Sequence, residues 1–431
     1  MVHLQRASAI LGIGIALGLS GCADSPRTLD APSSTASPSP ITTGADALAA
    51  ADFDVLSGLR VGLISNHTAR VGDAHLADLL AASDNVELVA LFGPEHGIRG
   101  TADAGDVVGD SVDSSTGVPV YSLYGKNRAP TEEMLANVDV LLFDIQDIGA
   151  RFYTYISTMG RSMQSAARYG KPFYVLDRPN PLSGEYVSGF VLDEEHRSFV
   201  GEYPIPVAHG MTVGELAVMI HREGMLPGLD SLELEVIPLQ GWERSMQWPE
   251  TGYDWIAPSP NIPSFETALV YPGACFVEAT IASEGRGTLS PFLWIGAEWA
   301  GPLADELNAR NLPGVRFESI QFTPRSIPGM STRPKLLDKP LEGIGYQIED
   351  RDAFLPVETG IHVLHGLMKA YAMSGGERSE LIRESGMLRL AGTSRLTEML
   401  VAGAEPQEII DAWAGEIDSF RARRAPHLLY P

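Results

Sequence analysis

The sequence is poor in cysteine, with Cys22 and Cys275 as the two cysteines among its 431 residues. At most one intrachain disulfide is available, so stability must come mainly from packing. Basic residues are also scarce, since 31 Lys and Arg face 55 Asp and Glu and give a net charge of -24. Such a charge repels the phosphates of nucleic acids and anionic membrane surfaces. We therefore expect no nucleic-acid partner.

Several motifs of nucleotide and nucleophile chemistry are missing. No Gly-x-Gly-x-x-Gly follows the first predicted strand, and neither a Gly-x-x-x-x-Gly-Lys-Ser/Thr loop nor a Gly-x-Ser-x-Gly elbow is present. Cys275 follows an apolar Tyr-Pro-Gly-Ala run, which favours a buried structural thiol over a nucleophile. His362 and His365 share one predicted helical face but lack an acidic or third histidine partner nearby. The sequence therefore predicts neither a cofactor nor a metal.

The N-terminus has the features of an exported lipoprotein. Arg6 precedes an apolar stretch over residues 7–19 that is too short for a spanning helix, and Leu19-Ser20-Gly21-Cys22 matches the bacterial lipobox. The alternative interpretation is that this stretch is a buried helix and that Cys22 has no role in lipidation. We expect a signal peptide over residues 1–21 and lipidation of Cys22. This places the chain on the periplasmic or cell-surface side, held to the membrane only through its lipid.

A flexible tether is expected over residues 22–45, because this segment is rich in Ser, Pro, Thr and Ala and has little to bury. If Cys22 carries the lipid, Cys275 has no cysteine left to pair with. No disulfide would then form within the mature chain.

The rest of the chain alternates short apolar runs with helical patterns. Buried parallel strands are predicted over residues 59–65, 86–92, 118–123, 138–144 and 172–177, with helices over 74–82 and 151–169. A capping box of Thr212 and Glu215 predicts another helix start. This alternation is typical of an α/β fold, and we expect a Rossmann-like three-layer domain over residues 46–265.

The composition of the sequence changes after about residue 267. Gly-rich and Pro-rich segments with aromatic and β-branched residues lead into helical patterns over 360–374 and 406–421. We expect a second, smaller α+β domain over residues 266–431.

Polar side chains follow four of the predicted strands. Asn66 and His67 come after the first, Glu95, His96 and Arg99 after the second, Asp144, Gln146 and Asp147 after the fourth, and Arg178 and Asn180 after the fifth. In an open parallel sheet the carboxyl ends of the strands meet at one edge, where ligands bind. Asp and Asn at strand ends also cap helices, so Asp144 taken alone has a structural alternative.

Glu95 is the strongest catalytic candidate. It lies between Pro94 and Gly97 in a rigid, Gly-rich loop, with His96 and Arg99 close by in sequence. Carboxylates, amides and arginines without a metal or a nucleophile are the groups used in glycoside cleavage, where one acid protonates the leaving oxygen.

Aromatic residues supply faces on which sugar rings stack. We expect one or two of the following to lie in the site and the others to be core residues: Tyr153, Tyr155, Trp242, Trp248, Trp255 and Trp294.

The strand-end segments resemble those of the exo-β-N-acetylmuramidase family, once known as a domain of unknown function. The resemblance includes Gly93-Pro94-Glu95-His96-Gly97 and Asp177-Arg178-Pro179-Asn180, and it runs through residues 62–68, 92–100, 143–155, 176–181, 209–212, 258–261, 271–273 and 283–288. It implies a Rossmann-like domain and a smaller C-terminal domain with the active site between them. It also implies removal of N-acetylmuramic acid from the non-reducing ends of peptidoglycan fragments.

The resemblance places the family's catalytic glutamate on Glu95. For the second group Asp144, Asp147, Glu278 and Glu284 are candidates, and we favour Asp144 and Glu284. Substrate contacts are expected from Asn66, His67, His96, Arg99, Gln146, Asp147, Arg151, Tyr153, Arg178, Asn180, His209, Asn261, Glu278 and Arg286.

Muramic acid differs from N-acetylglucosamine by a lactyl carboxylate, and arginine suits its recognition. Arg99, Arg151, Arg178 and Arg286 are the candidates. Attack by a second carboxylate and assistance by the substrate's own acetamido group both remain open as mechanisms. A non-catalytic wall-binding or solute-binding lipoprotein is the alternative function, because a two-domain α/β body on a tether also describes such receptors.

Overall fold

A computed structural model of the chain describes residues 41–95, 97–100 and 111–431. The predicted signal peptide, Cys22, residues 22–40 of the predicted tether and His96 lie outside the described residues. In the described part of the chain, no helix is both long enough and apolar enough to cross a bilayer.

Twelve strands are described. They are β1 (Arg60–Ser65), β2 (Arg70–Val71), β3 (Ala74–His75), β4 (Glu87–Gly93), β5 (Ser111–Val112), β6 (Pro119–Ser122), β7 (Val140–Asp144), β8 (Phe173–Leu176), β9 (Leu234–Ile237), β10 (Trp294–Ala297), β11 (Val315–Phe322) and β12 (Leu341–Ile348).

The described helices are distributed over the whole body. They are α1 (Gly44–Ala50), α2 (Leu76–Ala82), α3 (Tyr155–Arg168), α4 (Val213–Arg222), α5 (Phe265–Ala274), α6 (Leu303–Asn308), α7 (Pro356–Met373), α8 (Arg378–Leu381), α9 (Glu384–Ala391), α10 (Arg395–Ala402), α11 (Pro406–Asp411) and α12 (Ala414–Arg424).

The central sheet has the strand order β5-β6-β4-β1-β7-β8-β9. All its pairs are parallel except that of β5 with β6. The five predicted strands are confirmed as β1, β4, β6, β7 and β8, and β9 extends the sheet beyond them. Every residue of β7 is buried, as expected of a parallel strand covered on both faces.

The start of α4, which was predicted from a capping box, is correct. Most of the helix starts predicted without a capping signal differ from those in the structure. At α4 the Thr212 side chain accepts from the backbone N–H of Glu215 and the Glu215 side chain accepts from the Thr212 N–H, so the capping box is confirmed. The helix predicted from residue 151 begins only at Tyr155. Ala150 forms a β-bridge with Ala208 and the Arg151 N–H donates to Val207, so the chain leaves this pairing through a turn before the helix starts. The helix predicted over 406–421 is divided into α11 and α12.

The second domain contains the antiparallel sheet β10-β12-β11, against which α6 packs. The fold is therefore mixed α/β, with a mostly parallel central sheet and a second domain built on an antiparallel sheet. Helix α5 begins at Phe265, next to the predicted domain boundary, and packs along α7. Gly273 and Gly360 permit this close approach, since a Cβ on Gly360 would lie 2.5 Å from the Cα of Gly273.

The folded body begins earlier than the predicted tether ends. Ile41 is buried, and Thr42 forms a β-bridge with Gln240. Thr43 caps α1 through a capping box with Asp46. Residues 41–45 therefore belong to the packed structure, which corrects the tether boundary at residue 45.

Candidate active site

The carboxyl ends of the parallel strands meet at one edge of the sheet, as the sequence predicted. Ser65 at the end of β1 is in register with Asp144 at the end of β7. The loop that carries Glu95 follows β4 directly. Gly93 allows this loop to fold back on itself, because a Cβ there would lie 2.9 Å from the backbone nitrogen of Ile98.

A cavity of about 470 Å³ opens at this edge, and Glu95 lies in its wall. The loop after β7 contributes Tyr153 and Tyr155, and the segment after α5 contributes Glu278 and Arg286. The volume is within the range of small-ligand sites. The cavity therefore brings together side chains from the central sheet and from the second half of the chain.

Three hydroxyl groups surround the Glu95 carboxylate. Thr154 Oγ1 lies 3.5 Å from Glu95 Oε2. Burial and the nearby Glu95 carboxylate together raise the pKa of Tyr124 to about 12, and they also raise the pKa of Tyr155. Both tyrosines are therefore neutral at physiological pH. The Tyr155 hydroxyl donates to the carbonyl of Pro258 at 2.7 Å, which leaves Tyr124 and Thr154 as the hydroxyl groups bonded to Glu95. A carboxyl in such a setting has fixed neighbours and still faces the cavity.

Glu278 faces the same cavity and is held by a cation. Arg286 Nη2 lies 2.6 Å from Glu278 Oε1, and the two side chains are 25% and 30% exposed. Arg286 also lies 3.6 Å from the buried Glu284. Lys335 completes the cluster, with its Nζ 2.8 Å from Glu284 Oε2. Two acids and two cations thus compensate each other's charge, and the pairing holds the Glu278 carboxylate in a fixed position.

Glu284 and Asp144, the two favoured partners of Glu95, do not line the cavity. Glu284 lies behind Arg286 and is 3% exposed. Asp144 is fully buried and accepts two hydrogen bonds from Arg178, the longer of them 2.9 Å. Glu278 replaces both as the second acidic group of the cavity wall.

All four arginines that were candidates for binding the lactyl carboxylate have partners within the protein, and three of them lie outside the cavity wall. Arg178 is paired with Asp144. Arg99 pairs with Asp78 and Asp113 at 2.7 and 2.8 Å. Arg151 is buried and donates to the backbone carbonyls of Phe190, Ile205 and Leu390, so it fastens three loops together. Burial lowers the pKa of Arg151 to about 9. Of the four, only Arg286 lines the cavity.

Most of the predicted amide contacts are structural instead. Asn66 Oδ1 accepts from the backbone and hydroxyl of Thr68 at 2.9 and 2.6 Å. Gln146 Nε2 donates to the carbonyls of Asp147 and Pro179. These bonds hold the strand-end loops to one another at the carboxyl edge.

The remaining predicted contacts also join loops. Asn180 donates to the carbonyl of Met211 at 3.0 Å, and Asn261 donates to that of Met330 at 2.7 Å. His67 Nε2 lies 2.7 Å from the carbonyl oxygen of Ala257. Like Asn66 and Gln146, these side chains are absent from the cavity wall. The strand-end rule identified the correct edge of the sheet but not which polar groups face the cavity.

Asp147 and His209 lie behind the cavity wall. Asp147 Oδ2 accepts from the backbone N–H of Gly149 at 2.8 Å, and burial raises its pKa to about 7. His209 Nε2 is 4.0 Å from the same oxygen, and burial lowers the pKa of the imidazole to about 3. Burial raises the pKa of Tyr153, to which the charges of Tyr155, Tyr271 and Asp147 add. Tyr153 is thus the wall residue between this pair and the cavity.

Two of the six candidate aromatic residues, Tyr153 and Tyr155, line the cavity, with their ring centroids 5.0 Å apart. The four tryptophans pack against other rings. Trp242 contacts Tyr430, Trp248 contacts Trp255, and Trp294 contacts Phe322.

Sequence reasoning missed two cations of the cavity wall, Arg128 and Arg389. Arg128 lies over the ring of Phe199 at 4.6 Å, and Arg389 is an exposed residue of α9. Neither forms an ion pair within the described part of the chain. They lie far apart in sequence, outside any strand-end motif, so no local pattern signalled that they meet.

His362, His365 and Cys275, which were considered for metal binding or nucleophilic chemistry, are engaged or buried within the protein. Arg310 donates to Nδ1 of both His362 and His365, at 3.1 and 3.0 Å. Cys275 is buried beside the cavity, and burial raises the pKa of its thiol. Across residues 41–95, 97–100 and 111–431, no group of three His, Cys, Asp or Glu is arranged to hold a metal ion.

A cavity that combines two carboxyl groups, aromatic rings and arginines at the carboxyl edge of an α/β sheet is typical of a glycoside hydrolase. The N-terminal family model of exo-β-N-acetylmuramidase NamZ matches residues 61–266, and the C-terminal model matches residues 269–430. The chain therefore belongs to the exo-β-N-acetylmuramidase NamZ family, and the resemblance seen in the sequence is confirmed.

Relatives and solved structures agree with this assignment. The chain is 41% identical over 404 residues to peptidoglycan β-N-acetylmuramidase NamZ of Bacillus subtilis strain 168, covering 93% of this chain and 94% of that protein. Two crystal structures of DUF1343 family proteins from Bacteroides fragilis NCTC 9343 share the fold. Their TM-scores are 0.83 and 0.74 and their identities 38% and 35%, with 91% of this chain and 99% of each of theirs covered.

Proposed function

We propose that this chain removes N-acetylmuramic acid from the non-reducing ends of peptidoglycan fragments by hydrolysing the β-glycosidic bond. The observation that carries the proposal is that Glu95 and Glu278 share one cavity with Arg128 and Arg389. The Bacillus subtilis relative, named a peptidoglycan β-N-acetylmuramidase, supports the same reaction. A receptor has no need of an acid group in this position, so the wall-binding alternative is not favoured.

In the proposed reaction Glu95 is the general acid. Its proton passes to the glycosidic oxygen as the bond from that oxygen to the anomeric carbon breaks, and water supplies the hydroxyl group of the released sugar. Thr154 and the neutral hydroxyl group of Tyr124 hydrogen-bond to the Glu95 carboxyl and keep it in place. The leaving saccharide therefore departs as an alcohol and not as an alkoxide.

Glu278 is the second acidic group in this proposal. Its ion pair with Arg286 holds the carboxylate in the cavity wall, and in this proposal it lies beside the anomeric carbon, where positive charge develops in the transition state. Lys335 and the buried Glu284 hold Arg286 in position. These two are positioning residues, since they act on the sugar only through Arg286 and Glu278.

Arg128 and Arg389 are proposed to bind the lactyl carboxylate. Both are cations of the cavity wall that lack a carboxylate partner in the described residues. A carboxylate that accepts charge-assisted hydrogen bonds from them distinguishes muramic acid from N-acetylglucosamine.

The test is hydrolysis of 4-nitrophenyl N-acetyl-β-muramide compared with the matching glucosaminide, using the body from residue 41 onward. The proposal predicts release of 4-nitrophenol from the muramide and little from the glucosaminide. Binding of the muramide without turnover would instead support a receptor, and equal turnover of both would remove the assignment to muramic acid.

We also propose that the domain built on the central, mostly parallel sheet is a Rossmann-like domain. Six parallel strands support this, because when they are counted along the chain their order in the sheet is 3-2-1-4-5-6. Loops that bind ligand then belong at the carboxyl edge, where the cavity is found.

Export and lipid anchoring are proposed from the lipobox at Leu19-Ser20-Gly21-Cys22 and the apolar stretch before it. Expression of wild type and Cys22→Ser in bacteria, followed by membrane fractionation and mass spectrometry of the N-terminal peptide, tests this. A diacylglyceryl group on Cys22 in the membrane fraction is expected for wild type. The same distribution for both proteins would contradict the proposal.

A further inference from the structure

A second, larger concavity adjoins the cavity. It has a volume of about 1050 Å³, and its wall includes Lys126, Arg128, Arg161, Arg168 and Arg197. We refer to it as the basic groove and define it by these five residues. Neither the strand-end motifs nor the proposed chemistry accounts for it.

The charge of the basic groove is opposite to that of the protein as a whole, which carries a net charge of -24. Five cations face one carboxylate, Glu202, among the described lining residues. Arg161 pairs with Glu202 at 2.9 Å, and Arg197 pairs with Glu194 at 3.2 Å.

The other three cations, Lys126, Arg128 and Arg168, are exposed and form no ion pair within the described part of the chain. Unpaired cations concentrated in one concavity attract an anion and raise its local concentration. The basic groove is thus a local exception on an acidic surface.

The basic groove continues directly from the cavity. Arg128 belongs to the walls of both. Phe199 lines the cavity, and its ring lies between two arginines of the basic groove, 4.6 Å from Arg128 and 5.1 Å from Arg161. A ligand that extends from the cavity past Phe199 and Arg128 therefore reaches the basic groove.

Two of the cations, Arg161 and Arg168, lie along one helix. Arg161 and Arg168 lie seven residues apart on α3, which places them on one face of the helix and about 10.5 Å apart along its axis. Gln164, on the same face, also lines the basic groove. The polar lining of the basic groove therefore extends along two turns of α3, which is long enough to contact more than one sugar of an extended ligand.

We infer that the basic groove binds the part of the glycan strand beyond the cleaved bond, by pairing its unpaired cations Lys126 and Arg168 with the lactyl carboxylates of inner muramyl residues. This inference rests on the proposed function. A peptidoglycan strand freed of its peptides carries one such carboxylate on every second sugar, so its charge repeats along its length. The terminal muramyl residue occupies the cavity, and the next muramyl carboxylate reaches the basic groove.

The consequence is a preference for substrate length that depends on charge. A disaccharide fills the cavity and ends before the basic groove, whereas a tetrasaccharide places its inner muramyl carboxylate there. The tetrasaccharide is therefore the better substrate, and the advantage falls as salt is added.

The experiment compares the disaccharide, the tetrasaccharide and a tetrasaccharide whose inner lactyl carboxylate is converted to the methyl amide. Wild type, the double variant Lys126→Ala/Arg168→Ala and the control Arg316→Ala are used. Arg316 is a cation whose side chain is 71% exposed and which belongs to neither concavity. Thermal unfolding of each variant verifies that it is folded.

For wild type we expect kcat/KM to be about 10-fold higher for the tetrasaccharide than for the disaccharide, as for one or two partly exposed charge pairs. The amide and the double variant should each lose that advantage, while disaccharide turnover is unchanged. Equal loss on both substrates in the double variant, or no effect of the amide, would overturn the inference. So would a dependence on Lys126 and Arg168 seen only when stem peptides are attached, since peptide carboxylates would then be the ligand.

If wild type cleaves neither saccharide, the proposed function fails and the inference is still decided by binding. Calorimetric affinity of the intact tetrasaccharide for wild type and for the double variant then takes the place of turnover. A lower affinity in the double variant supports the basic groove as a glycan site, and equal affinity overturns it.

Discussion

Arg286 Nη2 lies 2.6 Å from Glu278 Oε1, so the carboxylate that faces the cavity is held by a cation placed behind it. Arg286 is itself fixed from the other side by Glu284. This arrangement presents the Glu278 carboxylate to the cavity together with Arg286, while Glu284 and Lys335 hold the pair from outside the cavity wall.

Replacing Glu278 by Gln should lower kcat by roughly 100- to 10,000-fold, the range for removal of one acid-base group. KM should change little, because the amide has almost the same shape and still accepts from Arg286. Steady-state kinetics on the muramide measure both values. Glu298→Gln is the matched control at an exposed position, and activity near wild type in Glu278→Gln would exclude Glu278 as the second acid.

Recognition of the lactyl carboxylate gives the second prediction. Arg389→Ala should lower kcat/KM for the muramide by about 10- to 150-fold, as expected for one charge-assisted hydrogen bond. Any slow turnover of the glucosaminide should stay as it was, since that sugar has no carboxylate to lose. The exposed Arg383, absent from the cavity wall, is the control. A parallel loss on both sugars in Arg389→Ala would show that the arginine does not read the carboxylate.

The buried pair of Asp144 and Arg178 is expected to matter for stability rather than for turnover. Asp144→Asn leaves the buried guanidinium of Arg178 without a counter-charge, which costs about 3–5 kcal/mol when one partner of a buried pair is removed. Urea unfolding should show this loss, and the folded fraction should keep its kcat. An unchanged stability with a loss of kcat would return Asp144 to the catalytic site.

Asp147 should make stability depend on pH. Its pKa is about 7 in the folded protein and 3.8 in the unfolded chain, because burial disfavours the charged form. A raised pKa in the folded state means that the stabilisation is complete below about pH 4 and is lost as pH rises through about 7. Relative to wild type, Asp147→Asn should therefore gain stability between about pH 4 and pH 7.

His209 makes the free energy of unfolding depend on pH in the opposite direction. The Asp147→Asn variant must therefore be compared with wild type at each pH. Burial and the charges of Arg424 and Arg151 lower the pKa of His209 from 6.5 to about 3, so its contribution is lost as pH falls through that interval. Both proteins contain His209, so its titration is common to them and their difference reports on Asp147 together with its effect on the neighbouring imidazole. Urea unfolding at several pH values measures it. A difference that does not change with pH would contradict a buried, titrating Asp147.

The sequence predicted the central sheet well because its strands carry a local signal. Runs such as β7 are buried on both faces and are therefore apolar throughout. The capping box at Thr212 is equally local. The start of α3 was missed because the residues before it pair with a distant segment, through the bridge of Ala150 with Ala208 and the bond from the Arg151 N–H to Val207. Local composition does not contain that information.

The site was predicted in part for the same reason. Glu95 and Tyr153 lie on strand-end loops, and topology brings such loops to one edge. Whether an arginine faces the cavity depends on which carboxylates and carbonyls surround it in space. Arg151 and Arg178 are occupied by partners far along the chain, whereas Arg389 is not. Which arginines have distant partners and which face the cavity is therefore known only from the folded structure.

The most direct test of Glu95 as the general acid compares two leaving groups. 4-Nitrophenolate departs readily without a proton, whereas the hydroxyl group of a sugar does not. In Glu95→Gln, kcat/KM on the muramyl disaccharide should fall by roughly 1,000-fold or more, and the loss on 4-nitrophenyl N-acetyl-β-muramide should be much smaller. Equal losses on both substrates, or full activity on the disaccharide, would contradict the assignment of Glu95.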